Sequence, residues 1–179
     1  MNKKNMALSL VVGVIIALPA LAGPPRTIET VNVTEGVMKV GAAALVREKQ
    51  SATFRINTTM LDSDSAYTVW VAAFNRPENC VDGCNGPDLP AADGSVFFGS
   101  AFVTGSSGTA NVEFTVLANN LPAGTFIAGG HDKGIKSGNG FGVELHLIIA
   151  QHGPSNLIVD WPGPLSTPGP AEQVAMFIP

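Results

Sequence analysis

Clustered charge, cysteine and long apolar runs are all scarce in this chain, and each scarcity removes a class of protein. Charged residues make up 13% of the 179, and no stretch gathers five or six of one sign, which excludes a polyionic tail. Fourteen Asp and Glu outweigh ten Lys and Arg; phosphate binding needs a clustered basic surface, so no nucleic acid partner is expected. After the first two dozen residues nothing approaches eighteen consecutive apolar residues, the length a membrane-spanning helix requires. The two cysteines, Cys80 and Cys84, have no further Cys or His at ligand spacing beside them, which excludes a closed zinc site. Nucleophile and nucleotide motifs are missing too. Gly105-Ser106-Ser107-Gly108 has the wrong spacing for a Gly-x-Ser-x-Gly elbow. In the glycine-rich stretch 129–142, Gly134 is followed by Ile135 where a phosphate loop needs Lys.

What is present begins with an export signal. Lys3 and Lys4 precede an apolar run of thirteen residues, 6–18, and Ala20-Leu21-Ala22 supplies a small-x-small cleavage site. Residues 1–22 read as a signal peptide cut after Ala22, leaving one domain, 23–179. The run is shorter than the ~20 residues that cross a bilayer core, and Pro19 breaks it, so no permanent membrane anchor is expected. Removing the two leader lysines leaves eight Lys and Arg against fourteen acids, a net charge of −6. The expected destination is the periplasm or the medium. In such an oxidising compartment Cys80 and Cys84 read as a disulfide that staples a small loop, with Gly83 easing the turn.

Apolar residues recur with period two rather than 3.6. Ala110, Val112, Phe114 and Val116 alternate with Asn111, Glu113 and Thr115, and Ala52, Phe54 and Ile56 alternate with Thr53, Arg55 and Asn57. Each reads as a strand with one buried and one wet face. The stretch 66–74 is apolar on both faces, which places it centrally with Trp70 or its neighbours as core anchors. Turn chemistry at 61–65 predicts a hairpin from 52–57 into 66–74, and 104–108 predicts a hairpin between 95–103 and 109–117. Further strands are expected at 28–33, 37–46, 125–128, 142–150, 157–159 and 173–178. Together these predict an all-β, antiparallel β-sandwich of about seven to nine strands. The Pro- and Gly-rich stretch 160–170 reads as an extended strap.

Two places could hold metal. The cysteine loop carries Glu78, Asp82, Asp88 and Asp93, an oxygen-rich set suited to calcium, although acids on a solvated loop are also ordinary surface. Glu144 and His146 stand two apart on one strand face, and with His131 or Asp132 folded over them would hold a divalent ion. The competing and preferred reading makes Glu144 and His146 a hydrogen-bonded pair on the outer face, while Val143, Leu145, Leu147 and Ile149 fill the core. His146 and His152 cannot share an ion, because six extended residues span roughly 20 Å.

The segment Tyr67-Thr68-Val69-Trp70 leads through Phe74-Asn75-Arg76-Pro77-Glu78-Asn79-Cys80 to Cys84; later come Glu144-Leu145-His146-Leu147 and His152-Gly153-Pro154. Together they resemble an uncharacterised family of exported bacterial β-sandwich proteins. The resemblance covers roughly residues 50–155 and implies export, β architecture and the staple, with no activity attached. Similar proteins carry further cysteines towards the C-terminus, which this chain lacks. The expected function is therefore non-catalytic: an exported scaffold whose loops bind an envelope component, a glycan or a protein. The alternative is a metal-binding protein or metal-dependent enzyme built on Glu144 and His146 with His131 or Asp132.

Overall fold

A computed structural model describes residues 25–157 and 170–179. The chain is all-β. Among the described residues the nine strands are β1 (Arg26–Glu35), β2 (Met38–Glu48), β3 (Ser51–Thr58), β4 (Ser65–Phe74), β5 (Gly94–Val103), β6 (Ala110–Leu117), β7 (Phe126–Gly129), β8 (Glu144–Pro154) and β9 (Ala171–Phe177). They form one antiparallel sheet in the order β6-β3-β2-β1-β9-β8-β4-β5-β7.

The expected sandwich is thereby corrected in one respect. Its two layers are arms of a single sheet, joined where Thr34 of β1 pairs with Val174 of β9. The sheet curls until the arms face each other as a half-barrel. Inward residues of both arms share one core: Leu45, Phe54 and Ile56 from the first, Val69, Val71, Leu145, Leu147 and Phe177 from the second. The Phe54 and Phe177 rings lie 6.0 Å apart across the curl.

Period-two patterning accounts for the arms. On β3, Ala52, Phe54 and Ile56 are buried, whereas Arg55 and Asn57 are exposed. Arg55 pairs with Glu113 directly opposite on β6, and Thr53 hydrogen-bonds Thr115, cross-strand pairs of the kind that fix register. β4, buried along its whole length, is central as expected and lies between β8 and β5.

Both hairpin expectations are overturned. β3 pairs with β2 and β6, not with β4; β5 pairs with β4 and β7, not with β6. The connectors 59–64 and 104–109 instead carry the chain from one arm to the other. They run side by side, with Leu61 N–H donating to the Gly108 carbonyl at 3.1 Å and Asp64 N–H to that of Gly105 at 3.4 Å. Thr104 reinforces the crossing: its hydroxyl donates to the Asp62 carbonyl and accepts the Ser65 N–H. Of the other expectations, Leu157 lies in a 3₁₀ turn (Ser155–Leu157). The remainder of strand 157–159, nearly all of the strap 160–170, and the signal peptide 1–22 lie outside the described residues.

Two polar clamps hold the curl. At one end Arg47 of β2, only 1% exposed, donates to the Val143 carbonyl at 2.6 Å, the Phe177 carbonyl at 3.2 Å and the Gly140 carbonyl at 3.4 Å; its Nε meets Glu29 at 2.6 Å. Gly140 approaches so closely that a Cβ there would overlap the Glu48 carbonyl. At the other end Gln173, fully buried on β9, accepts the Thr58 hydroxyl and donates to the Thr59 carbonyl at 2.9 Å. An apolar replacement of Arg47 strands buried carbonyls at about 1–3 kcal/mol each. Arg47→Met is therefore expected to lower unfolding free energy by about 3 kcal/mol in urea titration; a loss below about 1 kcal/mol would show that the guanidinium does not clamp the arms.

Candidate functional site

Of the residue sets raised by the sequence, two are joined in the structure, the cysteine pair and the pair Glu144–His146. Cys80 and Cys84 form a disulfide. Its loop turns through Asp82 and Gly83, both at positive φ, and folds the segment 75–93 back over the outer face of the second arm. There Cys84 and Ala92 pack with Ala72 and Phe74, and Cys80, Leu89 and Ile148 rim the cluster. Asn75 anchors the segment's base. Its amide donates to the Asp93 and Gly134 carbonyls at 2.9 Å each and accepts the Lys136 N–H at 2.8 Å.

Two of the four acids of that loop are engaged by other groups. Asp88 accepts the Asn85 N–H and closes a capping box on the turn Gly86–Asp88. Asp93 pairs with the Lys136 ammonium, which holds its carboxyl below the usual range. Glu78 and Asp82 are exposed. They do not assemble the calcium set raised as one reading of this loop: among the described residues, no three His, Cys, Asp or Glu side chains gather as metal ligands.

The same finding holds for the set Glu144, His146, His131 and Asp132, and the register shows where each lies. Leu145, Ala73 and Ser95 stand in one cross-strand row and point inward, where the Ser95 hydroxyl donates to the His131 carbonyl. Glu144 and Phe74 occupy the next row, and side chains alternate faces, so Glu144 and His146 point outward. His131 and Asp132 belong to the segment that closes the inner end, where Ile135 joins the main core. Glu144 and His146 form a pair instead, Oε1 to Nε2 at 2.7 Å. Both are buried, and the Phe74 ring lies 5.1 Å from the imidazole.

A site that the sequence reading misses lies where the curled sheet fails to close. β5 and β6, at or near the two ends of the strand order, face each other across a seam, and a groove of about 420 Å³ opens along it. Phe97–Gly99 form one wall and Thr115–Leu117 the other; Asn120, Leu121, Pro122 and Thr125 of the connector 118–125 complete it. The floor is apolar, the rim offers Thr115, Asn120 and Thr125, and no lining residue is charged. Ligand pockets typically combine an apolar floor with a few polar groups in this way. The connector is tied on three sides: Ala118 N–H donates to the Gln50 carbonyl, Asn119 N–H to that of Ile135, and Phe98 N–H to that of Thr125.

Gly99 makes the seam possible. It is the extra residue of a bulge, since Val69 pairs with Ser100 while Trp70 pairs with Phe98. A Cβ there would stand 2.7 Å from the Phe114 ring, so the ring of β6 packs against bare backbone of β5. A glycine inside a strand pattern signals a bulge or close approach, and Phe97-Phe98-Gly99-Ser100 carried that signal. A second depression, about 450 Å³ at 40–42, 57–59 and 109–111, is more open and places Asn57, Asn111 and three threonines beside Val40, Ala42 and Ala110.

Away from the groove, His152 Nε2 shares a 2.8 Å hydrogen bond with the Thr68 hydroxyl, and burial pushes the imidazole below its ordinary pKa. The folded state thus binds this proton less readily than the unfolded chain. The resulting stability is complete above the unfolded value of about 6.5 and is lost as pH falls towards the folded one. Urea midpoints should drop between pH 7.5 and 5.5, and the drop should shrink in His152→Asn; an equal drop in both proteins would remove His152 as its source. Comparison with protein-family models, with curated proteins and with solved structures returns no match.

Proposed function

We propose that this protein is exported and works as a non-catalytic binding protein, holding an envelope or extracellular partner in the groove between β5 and β6. The observation that carries the reading is the groove itself, an uncharged apolar cleft left at the open side of a half-barrel whose ends are pinned. Antiparallel half-barrels and barrels commonly bind ligands at such openings. The connector 118–125 acts as the binding loop, and the rigid arms present it. Export is supported by the leader pattern of residues 1–22 and by the disulfide, which suits an oxidising compartment.

An uncharged reporter of apolar sites tests the groove. Nile red is expected to bind the processed protein with one-to-one stoichiometry. Leu117, 49% exposed on the groove wall, should matter: Leu117→Glu is expected to weaken the dye at least fivefold. Val37→Glu, at the fully exposed β1–β2 turn, should leave binding unchanged. Equal affinities in the two variants would contradict the assignment. Mass spectrometry of the exported protein should find an N-terminus at Gly23, and intact precursor with free thiols in the cytosol would contradict export.

A further inference from the structure

Most hydrogen-bonding groups around the groove are already engaged within the protein. Phe97 is laddered to β4 on one side and to β7 on the other, and the Phe98 N–H donates to the Thr125 carbonyl at 2.8 Å. On the opposite wall Thr115, Val116 and Leu117 are laddered to β3, and Leu117 is bridged to Asn120. The rim hydroxyls are occupied as well. Thr115 shares a 2.8 Å hydrogen bond with the Thr53 hydroxyl, and the Thr125 hydroxyl donates to the Pro122 carbonyl at 2.6 Å. Among the described residues, the exposed Asn120 amide is the lining side chain that offers hydrogen bonds without an internal partner.

A sugar or a peptide entering the groove would give up water from its polar groups and find few partners, at about 1–3 kcal/mol for each group left unsatisfied. An ion fares worse, since no lining residue is charged. Hydrocarbon has no such groups to satisfy and gains by leaving water. The floor that receives it is the core itself: Phe97 and Val116 belong to the main cluster, and Leu121 packs against it. The groove is also narrow. The Phe114 ring lies on the bare backbone of Gly99, so the walls touch beside it. Three residues on each wall line it, a length of about 10 Å at strand rise. A slender chain fits such a slot better than a fused ring.

We infer that the groove takes the acyl chain of a monoacyl lipid, with an uncharged polar head at its mouth beside Asn120. The chain extends the core between β5 and β6, and the head stays hydrated. This names the occupant of the site proposed above and rests on that reading.

The test titrates the full processed protein with monoacylglycerols of increasing chain length, below the concentrations at which they aggregate, and follows displacement of Nile red. Affinity is expected to rise between about two- and fourfold for each added methylene. It should level off once the chain outgrows the groove. Amide shifts should centre on 97–99, 115–117 and 120–125. Leu117→Glu should weaken the chain by about fivefold or more, as it weakens the dye. Glycerol and maltose, which bring hydroxyls without a chain, should leave the dye in place. Affinity indifferent to chain length, a rise that never levels off, shifts centred elsewhere, or displacement by maltose would each overturn the acyl assignment. If Nile red still reports a Leu117-sensitive groove in that event, the binding-site reading stands without the acyl chain; if the dye also fails to bind, both fall.

Discussion

A buried arginine in the half-barrel is satisfied only when the sheet is curled. Arg47 sits at the end of β2 in the first arm, while its carbonyl acceptors lie on the 139–143 turn before β8 and at the end of β9 in the second. Uncurling the sheet would leave the guanidinium with Glu29 as its partner and would expose the core shared by the arms. A buried cation held mainly by main-chain acceptors is costly to strand, so the contact acts less as glue than as a constraint on shape. Gln173 does the same at the opposite end with neutral groups. Between these points, among the described residues, β1 and β9 join the arms through the pair Thr34 and Val174.

The site follows from that geometry. A sheet pinned at both ends and joined along one side has its gap on the other, where β5 and β6 meet without a ladder. The two crossing connectors at one mouth carry the chain between arms and bond to each other. The bulge at Gly99 and the Phe114 ring occupy the space where a closing hydrogen-bond ladder would stand. The stapled loop, chemically the most conspicuous segment of the chain, does different work: it covers the outer apolar cluster around Phe74. Conspicuous side chains and the cleft therefore lie on different parts of the molecule.

The strands were legible in the sequence because burial on one face writes itself as alternation, and 52–57 and 110–116 carry it cleanly. β4 was legible as central from its apolar second face. Strand partnership was not. The connectors 59–64 and 104–109 have the length and turn residues of hairpins, and local chemistry does not reveal that each bridges two arms. The groove was hidden for the same reason, since pairing β5 with β6 erases it. Arg47 is not legible as a clamp because a lone arginine near a strand end reads as a wet-face residue, and its carbonyl acceptors lie 93 or more positions away. The preferred reading of Glu144 and His146 as a hydrogen-bonded pair needed only their spacing, whereas excluding His131 and Asp132 needed the register.

The open seam is the claim on which the site depends, and nuclear Overhauser contacts between Hα protons of neighbouring strands measure it directly. The expected result is a full antiparallel set between β3 and β6 and between β4 and β5, none between β5 and β6, and rapid exchange for the seam-facing amides beyond Phe98. A continuous Hα–Hα series linking 98–103 to 110–116, with those amides protected, would mean that the barrel is closed and the groove does not exist.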